Sequence, residues 1–208
     1  MKSQEFKSIL LHAFFPSRCS SCDVVIQREH IFCEKCLSSI EYNKNESYYI
    51  SPFLYTGTVR NALINLKEDI DENMIDYFSK SICSKIKSQY KNINFDCVVP
   101  IPMYEKKKKI RGYNQSEILA KRVADNLLVN YDDKVLTQPF DTKTQHILSY
   151  DERIENVKGK YFANANSYNN ILLIDDIITT GATMNECAKT LKKSGAENVY
   201  FASVAMVE

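Results

Sequence analysis

The run Ile171-Leu172-Leu173-Ile174-Asp175-Asp176 limits the fold more than any other part of the chain. Four β-prone apolar residues without alternation describe a strand buried on both faces, as in a parallel sheet. A helix is predicted from Thr183 to Ser194. Met184, Cys187, Ala188 and Leu191 recur at helical spacing, Lys192 and Lys193 fall in the last turn, and Gly195 stops it. Thr183-x-x-Glu186 reads as a capping box. Asp175 to Ala182 is then the loop between the carboxyl end of a strand and the start of a helix, where open α/β sheets bind ligands.

The rest of the chain fits that architecture. Strands are expected at Tyr48–Leu54, Phe95–Val99 and Val199–Met206, and helices at Val59–Leu66, Met74–Ile86 and Ser116–Val129. Asn114 and Glu117 cap the last of these in capping-box style. Tyr55-Thr56-Gly57 reads as a turn, and Pro100-Ile101-Pro102 closes its strand. Strands alternating with helices give a parallel sheet with helices on its faces. The 208 residues, 44% of them hydrophobic, suffice for one domain with a small appendage.

The appendage is marked by cysteine. Four of the seven, Cys19, Cys22, Cys33 and Cys36, form C-x2-C-x10-C-x2-C. Two such pairs around a short spacer place four thiolates about one point, the pattern of a structural Zn2+ site with no open coordination position. A segment this small lacks a core of its own, so metal binding supplies its folding energy. His30, in the spacer, reads as a loop residue. Cys83, Cys97 and Cys187 sit in apolar patterns and read as buried. The expected domains are a zinc module at 1–45 and an α/β domain at 46–208. No run approaches ~18 apolar residues. Phe6 to Pro16 is short, is interrupted by His12, and reads as a structural segment and not as a signal peptide. A cytoplasmic location follows as the expectation.

The loop chemistry narrows the ligand. Amides at a helix start, Gly181, and the hydroxyls of Thr179, Thr180 and Thr183 make an anion cradle. Two acids beside it repel a bare phosphate, but suit ligand hydroxyls or a bound Mg2+. A ribose 5-phosphate combines both features. A Walker A loop needs a G-K-[S/T] ending and a dinucleotide loop needs G-x-G-x-x-G, and neither is present. A response-regulator acid pocket needs an Asp on a later strand, and none follows Asp176.

ILLIDDIITTGAT resembles the PRPP-binding signature of type I phosphoribosyltransferases. More narrowly, the chain resembles the ComF family of natural competence. The resemblance rests on the four-Cys module, Tyr55-x-Gly57-x-Val59-Arg60 with Leu66-Lys67, Pro100-x-Pro102, and Arg111-Gly112-Tyr113-Asn114-Gln115. It continues through Thr142-x-x-Gln145-x-x-Leu148-Ser149 and Arg153-x-x-Asn156-Val157-Lys158-Gly159. Asp23 departs from the family's usual Gly, Tyr113 from its Phe, and Glu68-Asp69 from an aromatic and a nearby Gly.

The resemblance implies a type I phosphoribosyltransferase-like parallel sheet behind a zinc-ribbon-like module. It implies a PRPP or ribose 5-phosphate site with Mg2+. Its binding residues are Asp175, Asp176, Thr179, Thr180, Gly181, Ala182, Thr183, Pro100, Ile101 and Pro102. Lys67 and Arg153 join Asp175 and Asp176 as candidates for catalysis, and the long polar segment Gln138–Tyr161 for a lid. Lys106, Lys107, Lys108, Lys109 and Arg111 are candidates for single-stranded DNA. Met103 to Arg122 carries seven basic and two acidic residues, a local excess of +5, in a chain whose formal net charge is only +1. Three functions remain open. One is transfer of phosphoribosyl from PRPP to an acceptor. Another is a DNA-uptake protein that binds the ligand and handles single-stranded DNA. The third is an adaptor docking a partner such as an uptake helicase.

Overall fold

A computed structural model describes residues 16–27, 30–45, 47–140, 159–165 and 168–208. A parallel sheet runs through them in the order β1-β8-β7-β3-β4. β7 (Asn170–Ile178) is its centre, between β3 (Cys97–Pro100) and β8 (Asn198–Met206). β4 (Asn130–Tyr131) lies beyond β3. The other edge is one stretch in two pieces, β1 (Tyr49–Ile50) and β2 (Phe53–Leu54), both on β8. The single strand expected at 48–54 breaks at Ser51-Pro52, since proline has no N–H for a ladder.

The doubly buried strand is as expected: Ile171, Leu172, Leu173 and Ile174 have no exposed surface. Leu172 and Ile174 pack with α2 (Gly57–Asn65), α3 (Glu72–Gln89) and α5 (Gln115–Leu127). Ile171 and Leu173 pack with α6 (Ala182–Lys193). Two sequence expectations are corrected here. β7 runs on through Asp175 and Asp176 to Ile178, because ladder hydrogen bonds to β8 do not depend on side-chain polarity. The loop is therefore only Thr179 to Gly181. α6 starts one residue early, capped by Gly181 and not by Thr183. The Glu186 carboxylate instead accepts from the Gly159 amide at 3.0 Å. Asn114 caps α5 as expected, accepting from the Ser116 amide at 3.1 Å.

The four-Cys segment, with the short helix α1 (Glu34–Ser38), packs into the same core. Cys19, Phe32, Cys36 and Ile40 are buried with the α2 and α3 side chains. The Phe32 ring meets Tyr77 edge-on at 5.7 Å. The basic run, which had no predicted structure, forms α4 (Glu105–Arg111), ended by Gly112 in left-handed geometry. β5 (Leu136–Thr137) and β6 (Phe162–Ala163) form a separate antiparallel ribbon. No helix among the described residues is long and apolar enough to cross a membrane.

Candidate functional site

The carboxyl end of the sheet opens into a cleft of about 810 Å3. Asp175 and Asp176, the Thr179–Thr183 turn, Ile101, Pro102 and Lys67 all line it, apart from Thr180. Adjacent on β7, the two acids find different partners. Asp175 Oδ1 accepts from Ser116 Oγ at 2.7 Å and from the Asp176 amide at 2.9 Å. Asp176 Oδ2 lies 3.6 Å from Lys67 Nζ. Burial, and next the neighbouring Asp176 charge, push the Asp175 carboxyl up to about 8 against the help of Ser116. Burial and the adjacent charge thus disfavour ionisation of Asp175, while the Lys67 ammonium stands beside Asp176.

The turn is built by close approach. Gly181 sits at φ +71°, and a Cβ there would lie 2.5 Å from the Tyr49 hydroxyl and 2.8 Å from Tyr49 Cζ. The Tyr49 ring, tilted against Phe201 at a centroid distance of 5.3 Å, thus forms the floor under the turn. Thr180 Oγ1 accepts from the Ala182 amide at 3.3 Å, bracing the turn from inside. Helix amides and the dipole of α6 face the cleft beyond it. Tyr161, deeply buried at the ribbon, also lines the cleft, and burial holds its hydroxyl well above the usual tyrosine range.

Other sequence-derived candidates scatter. Pro100 ends β3 and is buried, outside the lining. Of the basic run, Lys107 and Arg111 line the cleft, while Lys106 and Lys109 are exposed on α4. Lys108 is bound to Glu117 at 2.7 Å, a contact that raises its pKa. Arg111 donates to Gln115 Oε1 at 3.0 Å. Arg153 and the 142–158 motifs lie outside the described residues. Only the ends of the lid segment are described, and Gln138 and Tyr161 there line the cleft. Sequence reasoning missed Tyr49 and Ser116, and reached Tyr161 only as the end of the lid segment. Ser116 alone carried a signal, standing just past a helix cap in the quoted Arg111–Gln115 run.

The four cysteine sulfurs lie within 4.8 Å of one another. Cys22 and Cys33 are 3.7 Å apart, and tetrahedral zinc with Zn–S near ~2.3 Å needs sulfurs roughly 3.8 Å apart. Cys19 Sγ accepts from the Cys33 amide at 3.4 Å, and Cys33 Sγ from the Cys36 amide at 3.5 Å. Burial opposes ionisation of Cys19, but amide donors outweigh it and bring the thiol to about 7. The cluster is compatible with structural zinc. Asp23 takes the left-handed backbone, φ +61°, that the knuckle asks for there.

An acidic strand end, a Thr/Gly turn and a helix start, at the carboxyl edge of a parallel sheet, define a type I phosphoribosyltransferase-like α/β domain. Among known proteins, the chain is 32% identical over 108 residues to Competence protein F of Haemophilus influenzae, covering 50% of this chain and 47% of that one. It is 31% identical over 105 residues to DNA utilization protein YhgH of Escherichia coli, covering 50% and 46%. It is 29% identical over 182 residues to Competence protein ComFC of Bacillus subtilis, covering 81% and 69%. These proteins are its homologues, as the ComF resemblance led one to expect. The chain spans about half the length of the first two. No protein-family model matches it. Among solved structures, adenine phosphoribosyltransferase from Saccharomyces cerevisiae superposes with a TM-score of 0.45 at 12% identity, covering 66% of this chain and 70% of that one. A superposition at that level adds nothing to what the sheet and turn define.

Proposed function

We propose that the cleft binds PRPP or a related ribose 5-phosphate with Mg2+, and that the protein serves DNA uptake by handling single-stranded DNA. The observation that carries the ligand reading is the pairing of Asp175 and Asp176 with the Gly181 turn in one cleft. The turn and the α6 amides would hold the 5-phosphate, and the acids the ribose hydroxyls. Mg2+, a hard cation that keeps several waters, would neutralise the acids and the pyrophosphate oxygens. Lys67 balances Asp176 and can move its charge to a ligand phosphate.

The DNA reading is supported by the exposed Lys106, Lys109 and Arg111 beside the cleft mouth and by the names of the homologues. The four cysteines would hold one structural Zn2+ in a module at 1–45, joined to the ligand domain at 46–208. A cytoplasmic site of action and an uptake helicase as partner accompany this reading.

Catalysis is the second reading, favoured by the Asp175 carboxyl standing near neutrality. The bond from ribose C1 to the pyrophosphate oxygen would break, an acceptor would bond to C1, and its proton would pass to Asp175 in its ionised form as pyrophosphate leaves. Equilibrium binding of PRPP with Mg2+, followed by assay of pyrophosphate release, tests both readings. Binding without release supports the first alone. Release supports the second, and absence of binding removes the ligand from both and leaves DNA handling as the function.

A further inference from the structure

Lys67 has a long, flexible side chain, so its reach into the cleft depends on how firmly its backbone is held. The two residues before it are both tied. Asn65, the last residue of α2, donates through Nδ2 to the Ser20 carbonyl at 3.0 Å. Ser20 lies inside the first Cys-x2-Cys pair. The carbonyl of Leu66 accepts from the Tyr113 hydroxyl at 2.8 Å, and Leu66 itself is buried. After Lys67 the chain turns back, the Glu68 and Asp69 amides both donating to the Asn65 carbonyl at 2.9 and 3.0 Å. Ser20 Oγ also reaches Asp71, the cap of α3, at 3.4 Å. The other end of α2 is tied to the second cysteine pair, Thr58 Oγ1 donating to the Cys36 carbonyl at 3.1 Å. The cysteine cluster therefore grips α2 at both ends, and Lys67, which lines the cleft, follows directly on its C-cap.

We propose that Asn65 and Tyr113 are positioning residues for Lys67, and that α2 is a strut through which the four-cysteine cluster sets the cleft's affinity for its ligand. The proposal rests on the ribose-phosphate reading of the cleft. Neither residue touches the cleft acids; each acts by fixing the backbone from which Lys67 reaches Asp176. The tyrosine hydroxyl is the atom by which this chain departs from the phenylalanine of the ComF pattern.

The test is a double-mutant cycle read by calorimetric titration of PRPP with Mg2+. Tyr113→Phe and Asn65→Ala each remove one hydrogen bond, and each is expected to weaken binding roughly threefold to tenfold. In a Lys67→Ala background neither is expected to weaken it further. Zinc content, read by chelator release, is expected to be the same in the parent and in every variant. Stripping the metal is expected to weaken PRPP binding in the parent and to leave Lys67→Ala unmoved. Equal losses with and without Lys67 overturn the proposal, because the two residues would then act on the fold at large. So does unchanged affinity in both single variants, or PRPP affinity indifferent to the metal. A parent protein that binds no PRPP overturns the reading of the cleft itself, a different result from binding that ignores the strut.

Discussion

Gly181→Ala puts the binding turn under a quantitative test. At φ +71° an alanine pays for left-handed backbone by about 1–2 kcal/mol. Its Cβ also meets Tyr49 Oη at 2.5 Å, Cζ at 2.8 Å and Cε2 at 3.2 Å. The ring cannot swing aside freely, because it is packed between Tyr48 at 5.6 Å and Phe201 at 5.3 Å. Overpacking of that kind costs roughly 1–3 kcal/mol. The two sum to about 2–5 kcal/mol, taken up as lower stability or as a displaced turn. If the turn moves, PRPP affinity falls by roughly thirtyfold or more. Thermal unfolding and calorimetric titration of the same samples separate the two. Combining Gly181→Ala with Tyr49→Leu removes the steric part and is expected to recover part of the loss, with the backbone part remaining. A Gly181→Ala protein as stable as its parent, with equal affinity, would refute the close approach of Tyr49.

Three further outcomes follow from the same geometry. Cys19→Ser or Cys36→Ser is expected to lose the bound Zn2+ and to lower the melting temperature of the whole protein, because both side chains share the core with α2 and α3; metal analysis with a thermal melt checks it. Leu128 ends α5 at φ +57° with 94% of its surface exposed, so Leu128→Gly is expected to raise stability by about 1 kcal/mol in denaturant unfolding. Neutralising Lys106, Lys107 and Lys109 to Gln is expected to flatten the salt dependence of single-stranded DNA binding, whereas Lys108→Gln, which removes the Glu117 ion pair, is expected to act mainly on stability.

The sheet and its central strand were legible because burial on both faces leaves an unalternating apolar run, and Ile171 to Ile174 carry that mark plainly. The extension through Asp175 and Asp176 was not. A strand end at a ligand cleft is polar, while its backbone still pairs with Ser203 and Ala205 of β8. α4 was hidden because a run of lysines has no apolar period. The start of α6 was misplaced because a left-handed glycine and a threonine box compete for the cap, and Glu186 is engaged elsewhere. At the site, the acids and the Thr/Gly turn stood next to one another in sequence. Tyr49, Ser116 and Tyr113 reach the cleft or its supports from distant elements, and no local pattern says which residues face each other across a fold.

The Asp175 carboxyl ties stability to function. Its folded pKa, about 8, lies above the unfolded value, so the folded state holds the extra proton and stability falls as pH rises from about 4 towards 8. Asp175→Asn is therefore expected to raise the melting temperature of the ligand-free protein at neutral pH and to flatten that pH dependence. The most direct measurement is calorimetric titration of PRPP with Mg2+ into the parent and into Asp175→Asn/Asp176→Asn. The account expects saturable binding to the parent, with proton release near pH 7, and none to a double variant that is folded and at least as stable. Equal binding to both proteins would contradict it, and the acids at the end of β7 would then have no part in holding the ligand.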